Sequence, residues 1–141
     1  MKNTYLLILA TFLSGFAFGQ VDIHLDSDPG TMLNGQSINV TADMYGKTVY
    51  MHVVNTSGAT QDYKFRRLII NQSTSFGDQF CDNNLCYPCS GTDYTTPSPV
   101  NVPAGDSSLM KPIYNFTDGG TALIRYYVLD ANNGDAALDS V

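Results

Sequence analysis

The sequence contains several short segments in which apolar residues alternate with polar ones, which is the pattern of half-buried β-strands. The clearest is TALIRYYVLD, which directs Ala122, Ile124, Tyr126 and Val128 to one face. SINVTAD, KTVYMHVVN and the start of DYKFRRLII follow the same two-residue period. No segment repeats its apolar residues at a helical spacing. The chain therefore predicts an all-β fold.

Composition supports this fold class. The chain has 13 acidic residues, all of them Asp, together with 12 Gly and 6 Pro. Asp favours turns and helix caps, whereas Glu, which is absent, is a good helix former. Six or so short strands at regular spacing predict an immunoglobulin-like β-sandwich. Because the chain stops soon after LDSV begins, we expect the last strand of that sandwich to be missing.

Two strands carry local irregularities. In DYKFRRLII, the alternation puts Tyr63 and Phe65 on one face of the strand but puts the apolar residues at its end on the other face. We therefore expect a β-bulge near Arg66–Arg67, because one extra residue reverses the facing of those that follow. We expect both arginines to lie on a solvated face. Pro112 interrupts SLMKPIYNF, and because proline cannot donate to a ladder, we expect this segment at a sheet edge.

The N-terminus is typical of an export signal. A short basic start, an uncharged stretch from Tyr5 to Phe18, and small residues at Ala17 and Gly19 predict cleavage near Gly19–Gln20. The apolar stretch is too short to span a bilayer as a helix. We therefore predict a signal peptide at 1–19, a polar entry segment at 20–35, a sandwich module at 36–141, a secreted or cell-surface location, and no membrane span.

The formal net charge is −6 at pH 7. An acidic surface with scattered basic residues disfavours nucleic acid and anionic lipid as partners, because both carry dense negative charge.

All three cysteines lie in FCDNNLCYPCSG, with the spacing C-x4-C-x2-C. An iron–sulfur cluster needs a fourth thiolate, which the chain lacks. Zinc has the same shortage, since neither His24 nor His52 has a suitable spacing to the cysteines. We expect no metal and no cofactor. An exported domain favours a disulfide, and Cys81, Cys86 and Cys89 allow three pairings.

The segment CYPC also suggests thiol–disulfide exchange by Cys86 and Cys89. That chemistry needs a thiolate of low pKa, usually at the start of a helix. The residues after Cys89, SGTDYTTPSP, do not favour a helix, and no Lys, Arg or His lies within twenty residues of Cys89. Redox activity is therefore the least favoured function.

The order MHVVNTSG, YKFRRLIIN, QFCDNNLCYP, VPAGDSS and GGTALIRYYVLDANNGDAALDSV resembles an immunoglobulin-like module of secreted Bacteroidota proteins. Those proteins often carry a C-terminal type IX secretion sorting tail. The resemblance covers Gln36 to the end and implies a non-catalytic surface module with a Cys81–Cys86 disulfide. This chain differs in its additional cysteine, Cys89, which would be an unpaired thiol, and in ending before any sorting tail.

These observations predict a non-catalytic, secreted or cell-surface module with a structural, adhesion or spacer role in a larger exported protein. The alternative is a carbohydrate- or protein-binding module that uses the irregular segment from Asn71 to Pro99. Tyr87 and Tyr94 would then supply amphipathic contact area. A neighbouring chain could also add a strand at the open C-terminal edge.

Overall fold

The computed structural model describes residues 20–42 and 46–141; the predicted signal peptide at 1–19 lies outside them. Within the described residues the secondary structure consists of strands and turns, which confirms the all-β prediction. The strands are β1 (Val21–Leu25), β2 (Asp28–Met32), β3 (Lys47–Thr48), β4 (Met51–Asn55), β5 (Gln61–Gln72), β6 (Phe76–Cys81), β7 (Cys86–Pro88), β8 (Asp93–Thr95), β9 (Val100–Val102), β10 (Ser107–Phe116), β11 (Ala122–Asp130) and β12 (Ala136–Ser140). No helix in this part of the chain is long and apolar enough to cross a membrane.

The strands form two antiparallel sheets. The first has the order β2-β1-β4-β10-β6-β7, with β3 also paired to β10. The second has the order β12-β11-β5-β8, with β9 also paired to β5. The two sheets pack face to face, which confirms the immunoglobulin-like β-sandwich.

The core lies between the two sheets and follows the predicted alternation. Val49, Met51 and Val53 are buried on the first sheet, and Tyr126 and Val128 on the second. The other large core side chains are Val21, Ile23, Phe80 and Met110 from the first sheet and Tyr63, Phe65, Val100 and Val102 from the second. Burying residues at every second position of facing strands is what holds a sandwich together.

The predicted entry segment is part of the sandwich. Residues 21–25 form β1, which pairs with both β2 and β4, and Val21 and Ile23 are fully buried. VDIHL does alternate apolar and polar residues, but the following DSDPG and LNGQ turn signals suggested a polar stretch. Conversely, the described part of SINVTAD, residues 37–42, forms no strand, and Val40 is 43% exposed.

The expectation that the last strand is missing is wrong. β12 pairs with β11 from Ala136 opposite Asp130 to Ser140 opposite Tyr127, with a register shift between Val128 and Leu129. Val141 continues the ladder by exchanging two backbone hydrogen bonds with Tyr126.

The prediction of an edge position for the Pro112 strand is also wrong. β10 lies between β4 and β6 in the middle of the first sheet. The backbone nitrogen and oxygen of one strand residue point to the same side, and the Pro112 oxygen accepts from the Val49 nitrogen at 3.0 Å. Pro112 therefore faces the gap where the neighbour of β10 changes from β4 to β3. Its missing N–H costs no regular ladder bond there.

The irregularity in β5 lies later than expected. Tyr63, Phe65 and Arg67 all point inward, so no bulge occurs at Arg66–Arg67. The register with β11 shifts instead where Ile69 and Asn71 face consecutive residues of β11, which leaves Ile70 as the extra residue. Arg67 therefore enters the interior, contrary to the predicted solvated face, and only Arg66 stays on the surface.

Candidate functional site

The cysteine segment forms a hairpin on the edge of the first sheet. β6 and β7 pair with Cys81 directly opposite Cys86, and a disulfide joins the two. Asp82 shapes the turn between them, since its Oδ1 accepts hydrogen bonds from the backbone nitrogens of Asn84 at 2.8 Å and Leu85 at 3.0 Å. This is ordinary aspartate turn chemistry. The segment from Asn71 to Pro99 is thus strands and tight turns, rather than an irregular loop.

The tip of this hairpin is fixed to the body of the sandwich. Asn84 Nδ2 donates to the Pro99 oxygen at 2.9 Å, and the Leu109 nitrogen donates to Asn83 Oδ1 at 2.9 Å. Leu85, in the same turn, remains 63% exposed. The tip therefore presents one large apolar side chain on a well-fixed backbone.

The two predicted contact tyrosines occupy different environments. Tyr87 lies on β7 and is 7% exposed, so its ring covers the interior and offers little contact area. Tyr94 lies on β8 and is half-buried. Burial raises the pKa of both hydroxyls, so both remain protonated at neutral pH.

Cys89 is a free thiol on the opposite side of the hairpin from the disulfide. Its backbone nitrogen donates to the Asp78 oxygen at 3.0 Å, and its side chain packs against the core. Burial and the Asp78 carboxylate raise the pKa of the Cys89 thiol, although Arg67 acts in the other direction. A thiol-exchange centre needs a lowered pKa and a free partner. Cys89 has neither, since Cys86 is bonded to Cys81.

Arg67 and Asp78 form a buried ion pair beside Cys89. Arg67 Nη2 donates to Asp78 Oδ1 at 3.0 Å, Arg67 Nε lies 3.0 Å from Asp78 Oδ2, and the two side chains are 2% and 4% exposed. Arg67 Nη1 donates to the Gly91 oxygen at 2.8 Å. Burial raises the pKa of Asp78, and Arg67 offsets this only in part. Arginine suits this position because its planar fork matches a carboxylate.

A pair of tyrosines continues this cluster into the core. The hydroxyls of Tyr114 on β10 and Tyr126 on β11 are 2.8 Å apart, so one donates to the other across the two sheets. Burial raises the pKa of both hydroxyls well above the ordinary value. The two hydroxyls thus partner each other inside the protein, and together with Arg67 and Asp78 they join β5, β6, β10 and β11. Its chemistry is that of a structural network rather than of a nucleophile or a base.

The signal for this cluster in the sequence was only indirect. Arg67 and Asp78 are 11 residues apart and belong to different sheets, so no motif connects them. The available signal was the two-residue alternation of the strand. Tyr63 and Phe65 face inward, so the next residue on the same face, Arg67, should face inward too. A buried arginine then requires an acidic partner.

A further polar cluster closes one side of the sandwich around Asn34. Its Oδ1 accepts from the Ile23 nitrogen at 2.8 Å, and its Nδ2 donates to the Val21 oxygen at 2.7 Å and to Asp139 Oδ2 at 2.8 Å. One side chain therefore connects β1 of the first sheet with β12 of the second. The Gly35 nitrogen adds a bond to the Ser140 oxygen at 2.7 Å. We call Asn34, Gly35, Asp139 and Ser140 the edge clamp.

Within residues 20–42 and 46–141, no group of three or more His, Cys, Asp or Glu side chains is placed to hold a metal ion.

Comparison with known proteins shows the fold alone. No protein-family model matches the chain, and no curated protein matches its sequence. Among solved structures, the chain is similar to the N-terminal domain of PorA, with a TM-score of 0.55 and 16% sequence identity. The match covers 86% of this chain and 92% of that one. The whole sandwich is therefore an arrangement that another protein also adopts as a domain.

Proposed function

We propose that this chain is a non-catalytic module of a larger exported protein, in which it acts as a mechanically stable spacer. The similarity to a solved N-terminal domain supports a modular role. The raised pKa of the Cys89 thiol disfavours thiol catalysis. Secretion, the signal peptide at 1–19 and the type IX route remain predictions from the sequence.

The observation that carries this proposal is the direction of the two terminal strands. β1 starts with Val21 opposite Asn55, and β12 starts with Ala136 opposite Asp130, which itself pairs with Tyr63. Both strands therefore begin at the end of the sandwich that carries the β4–β5 connection, and both run away from it. Segments joined to the domain would leave from opposite ends, as a spacer requires.

The edge clamp determines how such a spacer would resist tension. β1 and β12 run side by side in the same direction, so pulling on the two ends slides one strand along the other. The clamp bonds, with Asn34 at their centre, then bear the load together rather than one at a time. Hydrogen bonds loaded together in this way have to break in a single event, so we expect resistance to tension.

Single-molecule force spectroscopy tests the proposal. One molecule is pulled by its two ends, and a second between the N-terminus and an attachment at Leu85 in the hairpin tip. We expect a higher unfolding force when the ends are pulled. Asn34→Ala should lower that force, whereas Asn84→Ala, which removes an amide from the unloaded hairpin tip, should not. Equal forces for the two pulling geometries, or for the two variants, would refute the spacer role.

The exposed hairpin tip favours a second candidate function, the binding of protein or glycan at the cell surface. Leu85 is 63% exposed on a turn that Asn83 and Asn84 fix to the body, and binding sites are often loops held by a rigid scaffold. A glycan array probed with the protein and with Leu85→Ser tests it. Binding that the variant retains, or no binding at all, counts against this site. Strand addition beside β12 also remains a prediction.

A further inference from the structure

The chain has two histidines, and the fold places them next to each other. His24 on β1 and His52 on β4 are direct partners in the antiparallel pairing. Residues opposite each other on neighbouring strands share a face and have Cβ atoms about 5 Å apart. Both rings line one open cleft of about 480 Å³, together with Asp26. The cleft lies on the outer face of the first sheet, on the other side of β1 from the buried Ile23.

Each imidazole is held through the same ring nitrogen. His52 Nδ1 lies 2.6 Å from Asp26 Oδ1, and His24 Nδ1 lies 3.2 Å from the backbone oxygen of Thr31. A carbonyl oxygen or a carboxylate only accepts, so Nδ1 carries the proton in both rings. The lone pair of each neutral ring is then on Nε2. Within the described residues, neither Nε2 has a hydrogen-bond partner.

This arrangement is the one found around metal-bound histidines. A histidine that ligates a metal almost always donates its other ring N–H to a carboxylate or a backbone carbonyl, which fixes the tautomer and the ring orientation. Here Asp26 serves one ring and the Thr31 carbonyl serves the other. The cleft therefore contains two candidate metal ligands, each with a neighbouring group that orients its ring.

We propose that His24 and His52 bind one divalent transition-metal ion through their Nε2 atoms. Imidazole nitrogen suits zinc, copper and nickel rather than magnesium or calcium. Two protein ligands leave the remaining positions to water, which the open cleft admits since the His52 side chain is 42% exposed. Asp26 is a positioning residue that holds His52. The site is separate from the spacer role and does not depend on it.

An Asp–His pair can also serve a nucleophilic hydroxyl, and Ser107 lines the same cleft. Ser107 lies on β10 and pairs with Val54 of β4, which is two residues after His52 on the same face. A diagonal neighbour of this kind is about 7–8 Å away, and the Ser107 hydroxyl forms no hydrogen bond with His52 in the described structure. The two imidazoles, which come from directly paired strand positions and line one cleft, are therefore better placed for a shared ion than His52 is for a hydrolytic triad.

Isothermal titration of the purified protein with zinc chloride tests the proposal. We expect one zinc ion per chain, and about a tenfold or greater loss of affinity in His24→Ala and in His52→Ala. Magnesium chloride should not compete. The matched control is Asp22→Asn, which changes a carboxylate on the same face of β1 that contacts neither ring and should leave the affinity within about twofold. Asp26→Ala should weaken binding about 10- to 100-fold, and Asp26→Asn, which keeps an acceptor oxygen, should restore part of it.

Both histidines are on the surface, so the alanine variants should keep the thermal stability of the metal-free protein, and circular dichroism checks this. Nitrogen NMR of the imidazoles gives an independent measurement, in which zinc should shift the two Nε2 signals more than the Nδ1 signals. Zinc binding that persists in the double variant His24→Ala/His52→Ala would overturn the proposal. So would an equal loss of affinity in Asp22→Asn, because generic acidic attraction would then explain the binding.

Discussion

The buried pair of Arg67 and Asp78 leads to the sharpest prediction about stability. Both side chains are almost completely buried, and their contacts are 3.0 Å long. Removing one partner leaves an uncompensated charge in the interior, which costs about 3–5 kcal/mol. Asp78→Ala should therefore lower the free energy of unfolding by about that amount, because the Arg67 guanidinium cannot lose its proton.

The opposite variant should behave differently with pH. In Arg67→Met the buried Asp78 can become neutral by taking up a proton, and burial already raises its pKa in the native protein. An acid whose pKa is higher in the folded than in the unfolded state holds more protons when folded. Its contribution to stability therefore falls as pH rises above the unfolded pKa of 3.8. We expect the loss in Arg67→Met to shrink from pH 7 to pH 5, whereas the loss in Asp78→Ala, which has no titrating group at this position, should not shrink.

The double variant Arg67→Met/Asp78→Leu completes the test. Replacing a buried ion pair with apolar residues of similar size is often neutral or stabilising by 1–4 kcal/mol, because no charge has to leave water. We expect the double variant to be at least as stable as either single variant. Urea unfolding followed by far-ultraviolet circular dichroism at the two pH values measures all three. A loss below about 1 kcal/mol in Asp78→Ala, or a double variant whose loss equals the sum of the single losses, would refute this reasoning.

Three further predictions concern the cysteines and one glycine. Replacing Cys81 and Cys86 together by alanine should cost about 2 kcal/mol in urea unfolding, since the disulfide closes a short loop; a loss above about 4 kcal/mol would contradict this estimate. Cys89 should react slowly with iodoacetamide in the native protein and rapidly in urea, because its thiol is half-buried with a raised pKa; equal rates would show that it is accessible. Gly46→Ala should cost about 1–3 kcal/mol by thermal unfolding, because φ is +94° and a Cβ atom would lie within 2.4 Å of the Tyr114 oxygen. The control is Gly35→Ala, which is also at positive φ but has open space around it and should cost less.

The sequence predicted the fold class because apolar and polar residues alternate clearly in the strands whose inner faces form the core between the two sheets. Val49, Met51 and Val53 lie inward as their period required. The errors arose where a tertiary contact outweighed a local signal. Pro112 lies in the middle of a sheet because the partner strand changes at that point, and no local pattern reveals a change of partner.

The candidate sites were harder to predict, because each joins residues that are distant in sequence. Asn34 and Asp139 are 105 residues apart, and His24 and His52 meet only through strand register. The Cys81–Cys86 pairing came from a resemblance, since spacing alone left three choices open. Side-chain clusters that depend on strand order cannot be read from a sequence before that order is known.

The buried ion pair also explains how a very short strand keeps its place. β7 has three residues, and the disulfide fixes only its Cys86 end. At the other end Arg67 reaches from β5 of the opposite sheet to the Gly91 oxygen and to Asp78, whose backbone oxygen accepts from Cys89. The apolar double variant would regain stability in the core but lose the bond to Gly91. Hydrogen exchange at the Cys89 amide should then be faster in that variant even where the free energy of unfolding is unchanged. Arg67 therefore has two separable roles, balancing charge in the core and holding the end of the hairpin.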